Sequence, residues 1–156
     1  MSRTLSARDV GLALGAVAAA LILGALGFQY LGGLPPCEMC HWQRWPLFAA
    51  IATGLIGAGF GPVSARAPLA WLTLALVAVS GGIGAYQAGV EWHWWTGPQA
   101  CTGVLAIASG PLDLNAPVPR CDQAAIRILG ISLAGYNALI CLGFAGVAAW
   151  LLARKR

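Results

Sequence analysis

The chain has 156 residues, of which 59% are apolar and 9% charged, against about 25% charged in an ordinary soluble domain. That balance excludes a soluble globular enzyme. The net charge of +4 does not point to nucleic acid, because the bases are spread thinly at the ends of apolar runs, where they act as membrane-topology signals.

Four runs carry no charge at all: 10–37, 45–65, 67–90 and 128–153. Each reaches the roughly 20 residues a helix needs to cross the hydrocarbon core. A secretory signal peptide would explain one such run and not four. The expectation is an all-α membrane protein, a four-transmembrane-helix bundle forming a single integral membrane domain over 1–156, with no soluble domain attached.

In chain order, a short polar start with Arg3 and Arg8 leads into a first helix over about 10–31. Its Gly11-x-x-x-Gly15 and Ala20-x-x-x-Gly24 repeats invite close approach of a neighbour, and Gln29 and Tyr30 mark its far interface. A loop over about 32–43 carries Pro35-Pro36-Cys37-Glu38-Met39-Cys40-His41-Trp42-Gln43-Arg44. The prolines end the first helix and hold the chain extended. A second helix, starting near Cys40 or His41 and spanning about 42–60, would aim its positive end at the sulfurs. The third span covers about 69–89, after a turn holding Arg66. A second loop over about 90–125 carries Cys101 and Cys121. The fourth span covers about 127–153, with Arg154-Lys155-Arg156 behind it. The uncharged stretch 92–112 is too broken by Gly97-Pro98, Gly103 and Gly110-Pro111 to span; Val104, Leu105 and Ile107 fit a short surface helix. Trp92, Trp94 and Trp95 read as an interfacial belt.

Orientation follows from the bases. Arg3, Arg8, Arg66, Arg154, Lys155 and Arg156 fall on one side, and Arg44, Arg120 and Arg127 on the other. The first side is expected to be cytoplasmic, with both termini inside and both cysteine loops outside.

Of five cysteines, Cys37, Cys40, Cys101 and Cys121 lie in the outer loops, and Cys141 lies in the fourth helix, where it reads as an inert buried thiol. Outside the cytoplasmic membrane, four loop cysteines suggest two disulfides. A structural staple explains Cys101–Cys121. It explains Cys37–Cys40 poorly, because closing so small a ring removes almost no chain entropy. A close-spaced Cys-x-x-Cys therefore reads as redox-active. The alternative is a metal-binding or metal-delivery membrane protein with a four-sulfur zinc site, joined by His41 or His93. The wide spacing of Cys101 and Cys121 and the oxidising surface argue against it, and no metal is expected. Arg44, one helical turn after Cys40, shares its face. Ser132, Tyr136 and Asn137 are expected to make interhelical hydrogen bonds.

The chain resembles the DsbB family of bacterial inner-membrane disulfide-generating oxidoreductases over about residues 10 to 152. The resemblance rests on Cys37-x-x-Cys40 with Arg44, on Tyr86-Gln-Ala-Gly-Val-Glu-Trp-His-Trp-Trp-Thr-Gly-Pro-Gln-Ala-Cys101-Thr, and on Cys121-Asp122 followed by Leu129-Gly-Ile-Ser-Leu-Ala-Gly-Tyr-Asn137. The second loop is short, and Cys141 is extra, relative to better-known members. The resemblance implies catalytic Cys37, Cys40, Cys101 and Cys121, with Arg44 and Cys40 beside a ubiquinone or menaquinone. It implies a partner, a DsbA-like periplasmic oxidase of thioredoxin fold, held as a mixed disulfide through Cys101. Cys121 would then pair with Cys37, and Cys40 would face the quinone. Gly97-Pro98-Gln99-Ala100, read as extended, suits a partner's groove.

Overall fold

The computed structural model describes residues 5–102 and 120–154, and they are mostly helical. Helix α1 (Ala7–Tyr30) opens on a capping box: Ser6 accepts from the Asp9 N–H, and Asp9 accepts from the Ser6 N–H. Such a box satisfies two backbone donors that a helix start leaves bare. Helix α2 (Glu38–Leu55) is continued by a π turn, Ile56–Phe60. The glycines at 57 and 59 lower the α preference there, and Gly57 lets the α3 residue Leu69 approach closely. A 3-10 turn (Val63–Ala65) leads to α3 (Arg66–Glu91). One turn of helix, α4 (Gln99–Thr102), precedes a two-residue hairpin, β1 (Arg127–Ile128) and β2 (Ile131–Ser132), and α5 (Leu133–Ala153) closes the described chain. The short helix proposed around Val104, Leu105 and Ile107 lies outside the described residues.

Among the described residues three helices are long and apolar enough to cross a membrane: Ala7–Tyr30, the run Val63–Glu91 and Leu133–Ala153. They pack with α2 through small residues. The bundle interior holds Val10, Leu14 and Ala18 of α1, Ala50 of α2, Ala70 and Val77 of α3, and Cys141 and Ala148 of α5. The large apolar side chains Leu23, Phe48, Val79, Leu139, Phe144 and Val147 point outward. Lipid tails are as apolar as leucine, so helix association relies on close backbone packing rather than on burying large side chains. At the α1–α2 crossing, a Cβ on Gly54 of α2 would lie 2.8 Å from the Gly11 carbonyl oxygen of α1. A Cβ on Gly84 of α3 would lie 2.8 Å from the Ala134 carbonyl oxygen of α5.

Three sequence expectations are corrected here. Helix α2 begins at Glu38, with Cys37 as its N-cap (φ −78°, ψ 169°), and not near Cys40 or His41; a cysteine sulfur serves as the cap acceptor usually supplied by Ser or Asp. Residues 127–132 form a hairpin instead of the first turn of the last helix, because Leu129 (φ 50°) and Gly130 (φ 83°) both take the left-handed conformation that two-residue hairpin turns require and helices exclude. Gly24 meets no neighbour within 4 Å; with Ala20 it forms part of a cavity wall instead of a helix crossing.

Candidate active site at the head of helix α2

Cys37 and Cys40 are joined as a disulfide with Cα atoms 5.0 Å apart, and the Cys37 Sγ accepts the Cys40 backbone N–H at 3.2 Å. The positive end of α2 therefore acts directly on sulfur, the arrangement that favours thiolate when the bond opens. Cys101 and Cys121 form the second disulfide, Cα to Cα 5.4 Å, tied by the Cys121 N–H donating to the Cys101 carbonyl at 3.2 Å. The two pairs are not separate. Cys37, Cys101 and Cys121, at 5%, 3% and 0% exposure, form one buried cluster with Met39, and Cys40 packs on it. All four of these sulfurs are paired in disulfides. Beside Cys121, Arg120 donates twice to the Asp122 carboxylate, at 3.0 and 2.7 Å. That hydrogen-bonded guanidinium holds Asp122 below the usual carboxylate range.

A ladder of buried amides runs from the Cys37–Cys40 sulfurs toward the bundle centre. Asn137 Nδ2 donates to the Ser80 carbonyl at 3.2 Å and to Gln43 Oε1 at 2.8 Å. Gln43 Nε2 donates to the Met39 carbonyl at 3.4 Å and to Gln87 Oε1 at 2.6 Å. A backbone carbonyl can only accept, so Ser80 and Met39 fix which way the two amides face. Gln87 must then present its Nε2 to the sulfurs: it donates to Cys37 Sγ at 3.4 Å, lies 3.7 Å from Cys40 Sγ, and also donates to Glu91 Oε1 at 3.2 Å. A sulfur given such donors carries negative charge more easily.

Cavities flank the disulfide. The larger, about 480 Å³, lies among α1, α2, the hairpin and α5. Its walls are apolar, with Phe28, Leu34, Leu47 and Ile140 among them, and its polar groups are few: Cys40, Gln43, Arg44, Tyr136 and Asn137. That volume is typical of small-molecule sites. Arg44 Nη1 donates to Gln29 Oε1 at 2.7 Å, which steers the guanidinium while leaving it other donors. The smaller cavity, about 260 Å³, is lined by Cys37, Cys40, Gln87, Glu91, Arg120 and Ser132 among others.

The family model for Disulfide bond formation protein DsbB matches residues 7–151. The chain belongs to the DsbB family. It is 31% identical to the Disulfide bond formation protein B of Aromatoleum aromaticum, over 97% of this chain and 95% of that one. It is 30% identical to that of Azoarcus sp., over 96% and 94%, and 37% identical to that of Verminephrobacter eiseniae, over 82% and 75%. No solved structure gives a significant match. As a DsbB-family chain with long apolar helices and a Cys37–Cys40 redox pair, it is a disulfide-generating oxidoreductase of the bacterial inner membrane.

In this DsbB-family bundle, the residues read from sequence fall as follows. Cys37, Cys40, Cys101 and Cys121 come together, and Arg44 lines the same cavity as Cys40. The segment before Cys101 differs from expectation: Gln99–Thr102 is a helical turn, started by the Cys101 N–H on the Pro98 carbonyl at 2.9 Å, and not an extended arm. Asn137 bridges helices as expected. Ser132 caps α5 by accepting from the Gly135 N–H, and the Tyr136 hydroxyl donates to the Ile128 carbonyl, latching the hairpin onto α5. Sequence reasoning missed Gln29, Gln43 and Gln87 as site residues; for Gln29 and Gln87 the available signal was a glutamine inside an uncharged run, where a polar side chain needs a reason, whereas Gln43, between Glu38 and Arg44, carried no such signal.

Proposed function

We propose that the protein reoxidises a reduced periplasmic thiol oxidase of thioredoxin fold, resembling DsbA, and passes the two electrons to ubiquinone or menaquinone. One observation carries this reading: the Cys37–Cys40 disulfide packs against Cys101–Cys121 on one side and lines the 480 Å³ apolar cavity, with Arg44, on the other. Sulfur thus stands between a protein-facing pair and a lipid-like pocket. The pocket fits a quinone: apolar walls suit its ring and tail, and the polar groups gather at the Cys40 end. A bound quinone supplies the two-electron sink.

The chain's own residues divide the remaining work. Cys101 forms the mixed disulfide with the partner. At 3% exposure it must first swing out of the cluster. Cys121, released as thiolate, attacks Cys37, and Cys40 leaves as thiolate, since exchange needs an attacking thiolate and a good leaving one. Gln87 Nε2, 3.7 Å from the Cys40 sulfur, stabilises that charge. Arg44, braced by Gln29, favours negative charge in the large cavity.

The same reading fixes the topology. Residues 38–60, α2 plus the π turn, extend about 34 Å at 1.5 Å per residue, enough for a fourth crossing. The segment joining α1 to α2 and the one joining α3 to α5 are periplasmic, and both termini are cytoplasmic, the side of the six bases.

The test is turnover in lipid with a reduced thioredoxin-fold oxidase as donor and a short-chain quinone as acceptor, read by quinone absorbance and by donor thiols. Cys40→Ser loses quinone reduction. Cys101→Ser loses oxidation of the protein donor and keeps slow oxidation of a small dithiol that reaches Cys37–Cys40 directly. Failure of the unaltered protein to reduce either quinone with any thiol donor overturns the reading.

A further inference from the structure

Glu91 stands out among the buried groups that the relay leaves without a task. It ends α3 at 5% exposure, with the Ser132 hydroxyl beside the carboxylate but no well-formed hydrogen bond to Oε2 among the described residues. A buried carboxylate oxygen so weakly partnered is costly, so a site that keeps one invites a use. Oε1 accepts from Gln87 Nε2 at 3.2 Å, and that same nitrogen donates to Cys37 Sγ at 3.4 Å. One amide therefore links the carboxylate to the disulfide. Both also line the 260 Å³ cavity, room for several waters at about 30 Å³ each. Arg120, whose side chain is 49% exposed, lines it too, so the cavity reaches solvent.

We propose that Glu91 is the proton store of the Cys37–Cys40 pair, taking up a proton when the disulfide is reduced and returning it when the disulfide re-forms. The inference rests on the relay proposed above for its electron donor and acceptor. On reduction, the Cys101 and Cys121 thiols lose two protons and two electrons as their S–S bond forms. The Cys37–Cys40 bond breaks, Cys37 takes one proton as thiol, Glu91 takes the other, and Cys40 remains thiolate. Charge is the same before and after. On reoxidation, the S–S bond of Cys37–Cys40 forms again and Cys37 and Glu91 each give up the proton they hold; a bound quinone would be the acceptor of those two electrons and two protons. The physical reason is electrostatic: a thiolate and a carboxylate bridged by one amide repel, and a proton on the carboxyl relieves it.

Among the described residues, the charged and titratable groups facing Glu91 are few. Arg127 of β1 donates to the Glu91 backbone carbonyl at 3.4 Å and draws negative charge toward the site. Arg120, itself paired with Asp122, stands at the cavity mouth. Cys37 and Cys40 face it from α2. Arg127 and Arg120 keep the oxidised site tolerable for a carboxylate; only the thiolate produced on reduction tips it.

The experiment is infrared difference spectroscopy of the full-length protein, freed of quinone, in lipid, reduced with a phosphine. Because no quinone is present, failure of the proposed electron acceptor leaves this result unaffected. A carboxylic-acid carbonyl band appears on reduction, shifts in Glu91→Asp and vanishes in Glu91→Gln. The absence of such a band in the unaltered protein, or its persistence in Glu91→Gln, overturns the proposal. Should Glu91→Gln not fold, the unaltered protein and Glu91→Asp decide: a band that does not move in the aspartate variant belongs to another carboxyl and refutes it. With quinone restored, Glu91→Gln slows turnover by about a hundredfold, the usual size of a lost proton-transfer group.

Discussion

The amide of Gln87 stands between the Cys37–Cys40 sulfurs and the bundle interior, and its orientation is set two residues away, by carbonyls of Met39 and Ser80 that can only accept. Replacing it with leucine keeps the bulk and removes both N–H donors. A hydrogen bond to a charged group is worth about 1.5–3 kcal/mol, so alkylation of the reduced pair in Gln87→Leu slows by about tenfold at fixed pH, measured by iodoacetamide trapping and mass analysis. The same change leaves Gln43 Nε2 without its 2.6 Å acceptor, and the thermal midpoint falls. Arg44 offers a second residue-scale test. A lysine there keeps the charge and loses the fork that reaches Gln29 and the cavity together. In Arg44→Lys the KM for quinone rises by about tenfold while exchange between the two disulfides, followed by quenched-flow thiol trapping without quinone, is unchanged.

At the scale of elements, helix crossings depend on residues with no side chain. A Cβ at Gly54 would meet backbone atoms of α1, Gly11 O at 2.8 Å and Gly15 Cα at 3.1 Å, and neither can turn aside. Gly54→Leu therefore separates α1 from α2 and costs about 1–3 kcal/mol, visible as a lower unfolding midpoint in detergent. Gly82→Ala, with nothing within 4 Å, leaves the midpoint unchanged or raises it, since alanine is the better helix former. The hairpin before α5 gives a parallel case: Gly130→Val puts a β-branched residue at φ 83°, a conformation it resists, and loosens the Tyr136 latch on Ile128.

These elements also explain what the sequence could reveal. Charge-free runs mark helices because each span must satisfy its backbone internally and tolerates few charges. The paired cysteines were legible because a two-residue ring has little structural value. The hairpin was not legible, because Ile128, Leu129 and Ile131 are as apolar as the helix that follows, and a positive φ at a leucine leaves no mark in composition. Nor was the amide ladder. Gln43, Gln87 and Asn137 lie far apart in the chain, and only the packing of α2, α3 and α5 brings their amides end to end.

At the scale of the whole molecule, the uneven distribution of charge and the gathering of sulfur at one end describe the same asymmetry. The cluster of Cys37, Cys101 and Cys121 sits where α2 begins and α3 ends, the end that the proposed orientation sets outside. Cys141 is fully buried in α5 near the bundle centre. A membrane-impermeant maleimide applied to sealed, right-side-out vesicles should therefore distinguish five cysteines that a denaturant makes equivalent. Before reduction none reacts, because four are paired and the fifth is enclosed. After mild reduction Cys101 and Cys121 react first, since opening their bond frees the segment that carries them. Cys37 and Cys40 follow more slowly, shielded by Met39 and the cavity walls, and Cys141 reacts only after unfolding. Inverted vesicles should protect all five. Labelling of the loop cysteines from the cytoplasmic face would reverse the orientation read from the bases, and with it the compartment in which the enzyme makes disulfides.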